Sequence, residues 1–275
     1  MLDKRFQQIL GRLWSWRTLP AYENFEQALA NTGGYEDRDI IQVVCRKTEA
    51  LRRELSENSD LATIGDRQTV QNMFVLSHVW AGEPLNVLDI GGACGATYFV
   101  LNHLLPGKIG SWSVLETPGM AAEGRRVFQD IRLTFIEDID REVTRRCDFD
   151  LLLASGVLQY LPNPSGALDA WLEMGTPFIY LTRTAVGIDI DKPIITKQVT
   201  DLASHGPGPL PEGLLNLKIS HPLTIIPYET IISSLSRRYK TEFVFKEEED
   251  KSMWVGSRLI KISTMGFLLR IRKGG

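Results

Sequence analysis

The chain has 275 residues, 43% of them hydrophobic and 24% charged, which suffices to bury a sizeable core and excludes a disordered or fibrous chain. Its net charge of −3 gives no broad pull on nucleic acid, and it contains no run of about 18 apolar residues to span a bilayer. Cys45, Cys94 and Cys147 are widely spaced without a C-x-x-C pair, so the sequence predicts neither a disulfide framework nor a zinc site, and a reducing cytoplasm fits.

The first 18 residues interleave Lys4, Arg5, Arg12 and Arg17 with Leu2, Phe6, Ile9, Leu10, Leu13 and Trp14. That spacing predicts a basic amphipathic helix that docks on the rest of the chain, with weak contact at the inner face of a membrane as the alternative. No continuous apolar stretch of a signal peptide precedes it, so the reading is a cytoplasmic protein.

Residues 1–81 read as a helical cap. Apolar residues recur at helical spacing in "YENFEQALA", in "DRDIIQVVCRKTEALRREL" (Ile40, Val43, Val44, Leu51) and in "DRQTVQNMFVLSHVW" (Val70, Met73, Phe74, Trp80). "NTGGY", Asn31 to Tyr35, reads as a turn whose glycines serve the backbone.

From residue 82 to 275 the pattern changes. "LNVLDI", "SWSVLE", "RLTFIE", "FDLLLAS" and "TPFIYLT" read as strands, and Thr117-Pro118 and Asn163-Pro164 mark helix starts between them. Continuous apolar strands alternating with helices predict an α/β, doubly wound, mostly parallel sheet covered on both faces, with ligands at the carboxyl ends of the strands. A helix from Tyr228 to about Arg238 and strands at "TEFVFK" and "SRLIKIS" complete a seven-stranded sheet. The segment around "SHGPGPLPEG" reads as a loop, and Glu247 to Asp250 as a solvated hairpin tip.

The turn "VLDIGGACGATYF" after the first strand carries Gly91, Gly92 and Gly95, but the dinucleotide fingerprint would need further glycines at Ala93 and Ala96. Asp89 beside such a turn would repel a pyrophosphate by several kcal/mol at an effective dielectric near 20. The conflict vanishes for a cationic ligand, and S-adenosylmethionine carries both an ammonium and a sulfonium. Glu116 closes the second strand, where an acid accepts from ribose hydroxyls, a feature shared with NAD-binding folds.

On these residues the segment from Leu85 to Leu181 resembles the class I S-adenosylmethionine-dependent methyltransferases, with their Rossmann-like fold. "VLDIGGACG" looks like that family's first motif, and Glu116 matches its ribose-binding acid. The resemblance implies adenine-side positions at Asp138 and Ile139, and "FDLLLASGVLQYLPNP" resembles the fourth-strand motif, which puts Ser155, Gly156 and Gln159 beside the transferred methyl group. Asp138 also suits a helix N-cap, and Ser155 to Gln159 also suit a tight turn.

"YENFEQALANTGGYEDRDII", "LTRTAV" and "ITKQV" further resemble a little-characterised group of bacterial methyltransferases associated with surface-polysaccharide biosynthesis. That resemblance implies O- or N-methylation of a small-molecule or glycan-linked acceptor. No base is declared: His221, Tyr160 and Tyr228 are the catalytic candidates, Arg183 and His205 the remaining acceptor-side candidates, and His103 reads as structural. A cofactor-binding regulatory partner without catalysis, and an NAD-dependent dehydrogenase, remain open at this point. D-x-D pairs at Asp138 to Asp140 and Asp189 to Asp191 give only weak support to glycosyl transfer.

Overall fold

The computed structural model describes residues 18–57, 66–138 and 149–272. The amphipathic segment at the N-terminus, Ile139 and Asp140, and Cys147 lie outside the described residues.

Three helices precede the sheet: α1 (Phe25–Ala30), α2 (Arg38–Glu57) and α3 (Arg67–Val79). Asn24 and Asp66 cap the first and third, accepting from the backbone N–H of Gln27 and Thr69. Helix α2 buries Ile40, Val43 and Val44, as its periodicity predicts. Helix α3 departs from the expected face: it buries Val75, Leu76 and Val79, whereas Val70, Phe74 and Trp80 stay largely exposed. Phe74 instead meets the sheet's far edge, edge-to-face with Phe243 at 5.1 Å.

The sheet strands are β1 (Leu85–Ile90), β2 (Ile109–Leu115), β3 (Leu133–Ile136), β4 (Leu151–Ser155), β5 (Phe178–Gly187), β6 (Ile194–Asp201), β7 (Lys218–Pro227), β8 (Tyr239–Lys246), β9 (Lys251–Val255) and β10 (Arg258–Ile271). Between them run α4 (Ala96–Leu104), α5 (Pro118–Val127), α6 (Pro164–Glu173) and α7 (Tyr228–Ser236). Pro118 and Pro164 open α5 and α6 as expected, and Asn163 caps the latter by accepting from Gly166 N–H.

The main path runs β3-β2-β1-β4-β5-β10-β8. The pairs from β3 through β5 are parallel, and β10 is antiparallel to both β5 and β8. The expected seven-stranded, mostly parallel sheet is therefore corrected to a mixed sheet of ten strands. The additions are β9, a hairpin partner of β10, and the β6–β7 hairpin that hangs from the end of β5. The stretch from Ile194 hid this hairpin because its strands are only partly apolar and the second contains Pro222.

Leu151, Leu152 and Leu153 of β4 are all fully buried, since successive side chains point to opposite faces and both faces are covered. Burying each contributes about 1.5–3 kcal/mol relative to exposure. One core packs α2 to α5 against the sheet, another packs α6 and α7, and a smaller third cluster of Ile190, Leu223, Ile225, Val255, Ile260 and Ile262 joins β7 to β9 and β10. The order reverses at β1, whose neighbours are β2 and β4, so a crevice opens at the carboxyl ends of β1 and β4.

The prediction of no disulfide is corrected. Cys45 of α2 and Cys94 of the turn after β1 are joined, with Cα atoms 5.6 Å apart. A single long-range pair, 49 residues apart, leaves no spacing pattern for a sequence reading to find.

Candidate functional site

The turn from β1 to α4 is left-handed at alternate residues: φ is 69° at Gly91, 51° at Ala93 and 78° at Gly95. Ala93 thus adopts the conformation that the missing glycine would supply, at a cost of about 1–3 kcal/mol. A Cβ at Gly91 would come within 2.7 Å of Val157, and one at Gly92 within 2.3 Å of the Asp89 carboxylate. The glycines let the turn close onto both.

Asp89 lies beneath this turn, only 1% exposed, and accepts from Trp112 Nε1 at 3.0 Å. Burial pushes its carboxyl from 3.8 up to about 7, against the lowering effect of the Trp112 hydrogen bond. Glu116, at the end of β2, accepts from Ala93 N–H at 3.0 Å and from Thr117 N–H at 2.8 Å. Burial raises its carboxyl too, while those two donors lower it. Asp138 lies past β3 and is exposed.

At the end of β4, Gly156 is left-handed at 65° and donates its N–H to Thr182 O. Gln159 is buried and donates from Nε2 to Arg183 O at 3.0 Å, while its Oε1 has no hydrogen-bond partner among the described residues. Ser155 Oγ and its carbonyl accept from Arg183 Nε and Nη2 at 3.1 and 3.2 Å.

A cluster of rings stands beside these strand ends. His221 of β7 is opposite Gln198 of β6, to which the Tyr160 hydroxyl donates. Tyr35 stacks on His221 and meets Tyr160 edge-to-face at 5.2 Å, and His205 lies 5.3 Å from His221. Burial is the main cause of every shift here: it raises the phenols of Tyr35 and Tyr160 and lowers the imidazole of His205. His221, 1% exposed, is brought down from 6.5 to about 4, and neither ring nitrogen has a partner among the described residues. An unpaired buried imidazole costs about 1–3 kcal/mol unless something hydrogen-bonds to it.

The segment between α1 and α2 crosses this region as a strap. Gly33 N–H donates to Ser220 O at 2.9 Å, and Glu36 Oε1 accepts from Gly119 N–H at 3.4 Å, at the start of α5. Lys47, buried in α2, donates to the carbonyls of Ala203 and His205, both at 2.8 Å, fixing the hairpin end. The "NTGGY" turn therefore contributes a side chain, Tyr35, that the sequence reading treated as punctuation.

The structure thus brings His221 and Tyr160 together but places Tyr228 elsewhere. Tyr228 opens α7 and packs toward Phe267 in the core under α6 and α7. His103 lies in the last turn of α4. Asp189 and Asp191 are engaged with Lys261 and Arg258, and no cluster suited to a metal ion occurs among the described residues.

Glu247 corrects the reading of 247–250 as a solvated tip. It is buried, accepting from Arg183 N–H at 2.5 Å and from the Thr182 hydroxyl, while Gln68 Nε2 donates to Thr182 Oγ1 at 3.1 Å. Burial raises its carboxyl. Its place in an acidic run masked it, because runs of like charge ordinarily face water.

No protein-family model and no curated protein matches the chain. Among solved structures it is similar to the N-terminal domain of EvdMO1 with SAH bound, at 15% identity over 82% of this chain and 97% of that one, TM-score 0.46. It is similar to an S-adenosylmethionine-dependent methyltransferase from Clostridium acetobutylicum ATCC 824, at 11% identity over 83% and 99%, TM-score 0.47. The [4+2]-cyclase SpnF matches at 13% identity over 94% and 100%, TM-score 0.49. Likeness at this level carries no chemistry from one chain to the other.

Proposed function

We propose that the protein is a methyltransferase that holds S-adenosylmethionine at the carboxyl ends of β1, β2 and β4 and methylates an oxygen or nitrogen of a sugar or sugar-linked acceptor. The observation that carries this reading is the pairing of the Gly91–Gly95 turn with Glu116 across the β1–β2 ends, at the reversal of strand order. The residues fit the group. The glycines at 91 and 92 let the turn close onto Val157 and Asp89, and the buried Gln159 Oε1 has no hydrogen-bond partner among the described residues.

In this reading Glu116 takes the ribose hydroxyls, and the buried charge of Asp89 acts on the ammonium end through the turn. Ser155, Gly156 and Gln159 border the reacting centre. S-adenosylmethionine supplies an electrophilic methyl group. The chain aligns the acceptor and excludes water, and His221, neutral above about pH 4, takes the acceptor's proton only when Tyr35 uncovers its ring.

Calorimetry with S-adenosylhomocysteine tests the cofactor, with NADH as the competing arm. Heat with NADH alone would replace this reading with the dehydrogenase one. Methyl release with a panel of sugar and nucleotide-sugar acceptors tests the reaction. The sealing of His221 beneath Tyr35 favours a second reading, a cofactor-binding regulatory partner without transfer. Binding of S-adenosylhomocysteine with no methyl release from any acceptor would select it.

A further inference from the structure

Arg183 breaks a local rule. It lies inside β5 yet has φ 52°, a conformation that L side chains rarely adopt and that glycine would hold at less cost. Gly266 of β10 has no side chain, and a Cβ there would fall 2.6 Å from Glu247 Oε1. The Glu247 carboxylate occupies that space and draws the N–H of Arg183 to itself, while Gln159 takes the Arg183 carbonyl. The β5–β10 register shifts at this point, between Met265 and Phe267.

The result is a guanidinium turned across the end of β4. It donates to Ser155 Oγ and Ser155 O, both uncharged, and a Cβ at Gly156 would stand 3.3 Å from its Nε. Among the described residues no carboxylate pairs with the guanidinium: Glu247 meets the backbone N–H instead. The side chain is exposed, and its positive charge acts on Asp89, Tyr35, Tyr160, Tyr180 and, at longer range than a contact, Glu247.

We propose that Arg183 is the receptor for an oxyanion on the acceptor, so that the molecule bound beside the strand ends carries a carboxylate or a phosphate ester. A guanidinium held through Nε and Nη2 by neutral acceptors keeps its charge and the Nη1–Nη2 end of its fork available for such a group. The strain at Arg183 then serves to aim the fork. The assignment rests on the methyl-transfer reading only in calling the bound molecule the acceptor.

The test is calorimetry on the full chain, with and without saturating S-adenosylhomocysteine. The probes are glucose 1-phosphate, glucuronate and, as the neutral control, glucose. The variants are Arg183→Gln and Arg183→Gly. Wild type is expected to bind at least one charged probe at least tenfold more tightly than glucose, and the better probe tells phosphate from carboxylate. Both variants are expected to lose that preference while keeping affinity for S-adenosylhomocysteine. Arg183→Gly is expected to melt no lower than wild type, because glycine relaxes the left-handed backbone, so lost binding cannot be ascribed to lost folding.

Equal affinity of wild type and variants for the charged probes would overturn the proposal, as would a wild type that prefers neither. Loss of S-adenosylhomocysteine binding in Arg183→Gln would overturn it too, by assigning the guanidinium to the cofactor's own carboxylate. A wild type that ignores S-adenosylhomocysteine but binds the charged probes through Arg183 would remove the methyltransferase reading and leave the oxyanion site standing.

Discussion

Tyr35 lies flat on His221, with ring centroids 4.1 Å apart and planes 10° from parallel. One ring comes from the strap between the first two helices and the other from the β6–β7 hairpin, so the contact closes the candidate site from two remote parts of the chain. A stacked pair contributes about 0.5–1.5 kcal/mol beyond its buried area. Tyr35→Ala is expected to destabilise the chain by about 1–3 kcal/mol in urea titration and to raise solvent exchange at His221. Tyr35→Phe, which keeps the stack, is expected to cost less than about 1 kcal/mol.

His221 sets an acid limit. The unfolded chain takes up its proton near pH 6.5 and the folded chain only near pH 4, so the buried neutral ring stabilises above about pH 6.5 and that contribution is lost as pH falls toward 4. Comparing unfolding midpoints at pH 7 and pH 4.5, His221→Phe should lose less stability than wild type. An equal loss in both would show that the ring is protonated in the fold.

Asp89 works in the opposite sense. Its folded carboxyl keeps a proton up to about pH 7 that the unfolded chain releases near 3.8, so its contribution to stability declines as pH rises across that interval. Asp89→Asn should flatten this decline, gaining relative to wild type between pH 5 and pH 8. If a cationic ligand end lies above the turn, binding expels the proton. Calorimetry near pH 7 in buffers of different ionisation enthalpy should show that release, and Asp89→Ala should weaken S-adenosylhomocysteine by at least about 1 kcal/mol.

Glu116 both props the turn and faces the crevice. Glu116→Gln leaves one acceptor oxygen where Ala93 N–H and Thr117 N–H now have one each, turns its amide N–H toward the other donor, and reduces the accepting capacity left for ribose hydroxyls. Affinity for S-adenosylhomocysteine should fall about tenfold, by roughly 1.4 kcal/mol, and unfolding free energy by about 1–3 kcal/mol for the backbone donor left without its acceptor. Unchanged affinity would place the nucleoside away from β2.

The parallel half of the fold was legible because its signals are local: buried apolar runs such as "DLLLAS", prolines at first-turn positions, and glycines between β1 and α4. What the sequence hid depends on contacts between distant residues. Glu247 looks like one acid in a solvated run until Gly266 supplies the space for it. Tyr35 looks like part of a turn until β7 passes beneath it. Arg183 carries no mark of its left-handed backbone, since the constraint comes from Glu247 and Gln159, 64 and 24 residues away. The face of α3 that carries Phe74 stays exposed because that ring leans on a strand edge and not on the core.

The Cys45–Cys94 link fastens the middle of a cap helix to the middle of the glycine turn. While it is closed the turn is anchored to that helix, and with Cys45 3% and Cys94 0% exposed the link is shielded from solvent. A soluble thiol reaches it only when the helical layer opens, so the rate at which reductant cleaves the link in the folded chain reports how firmly the turn is held.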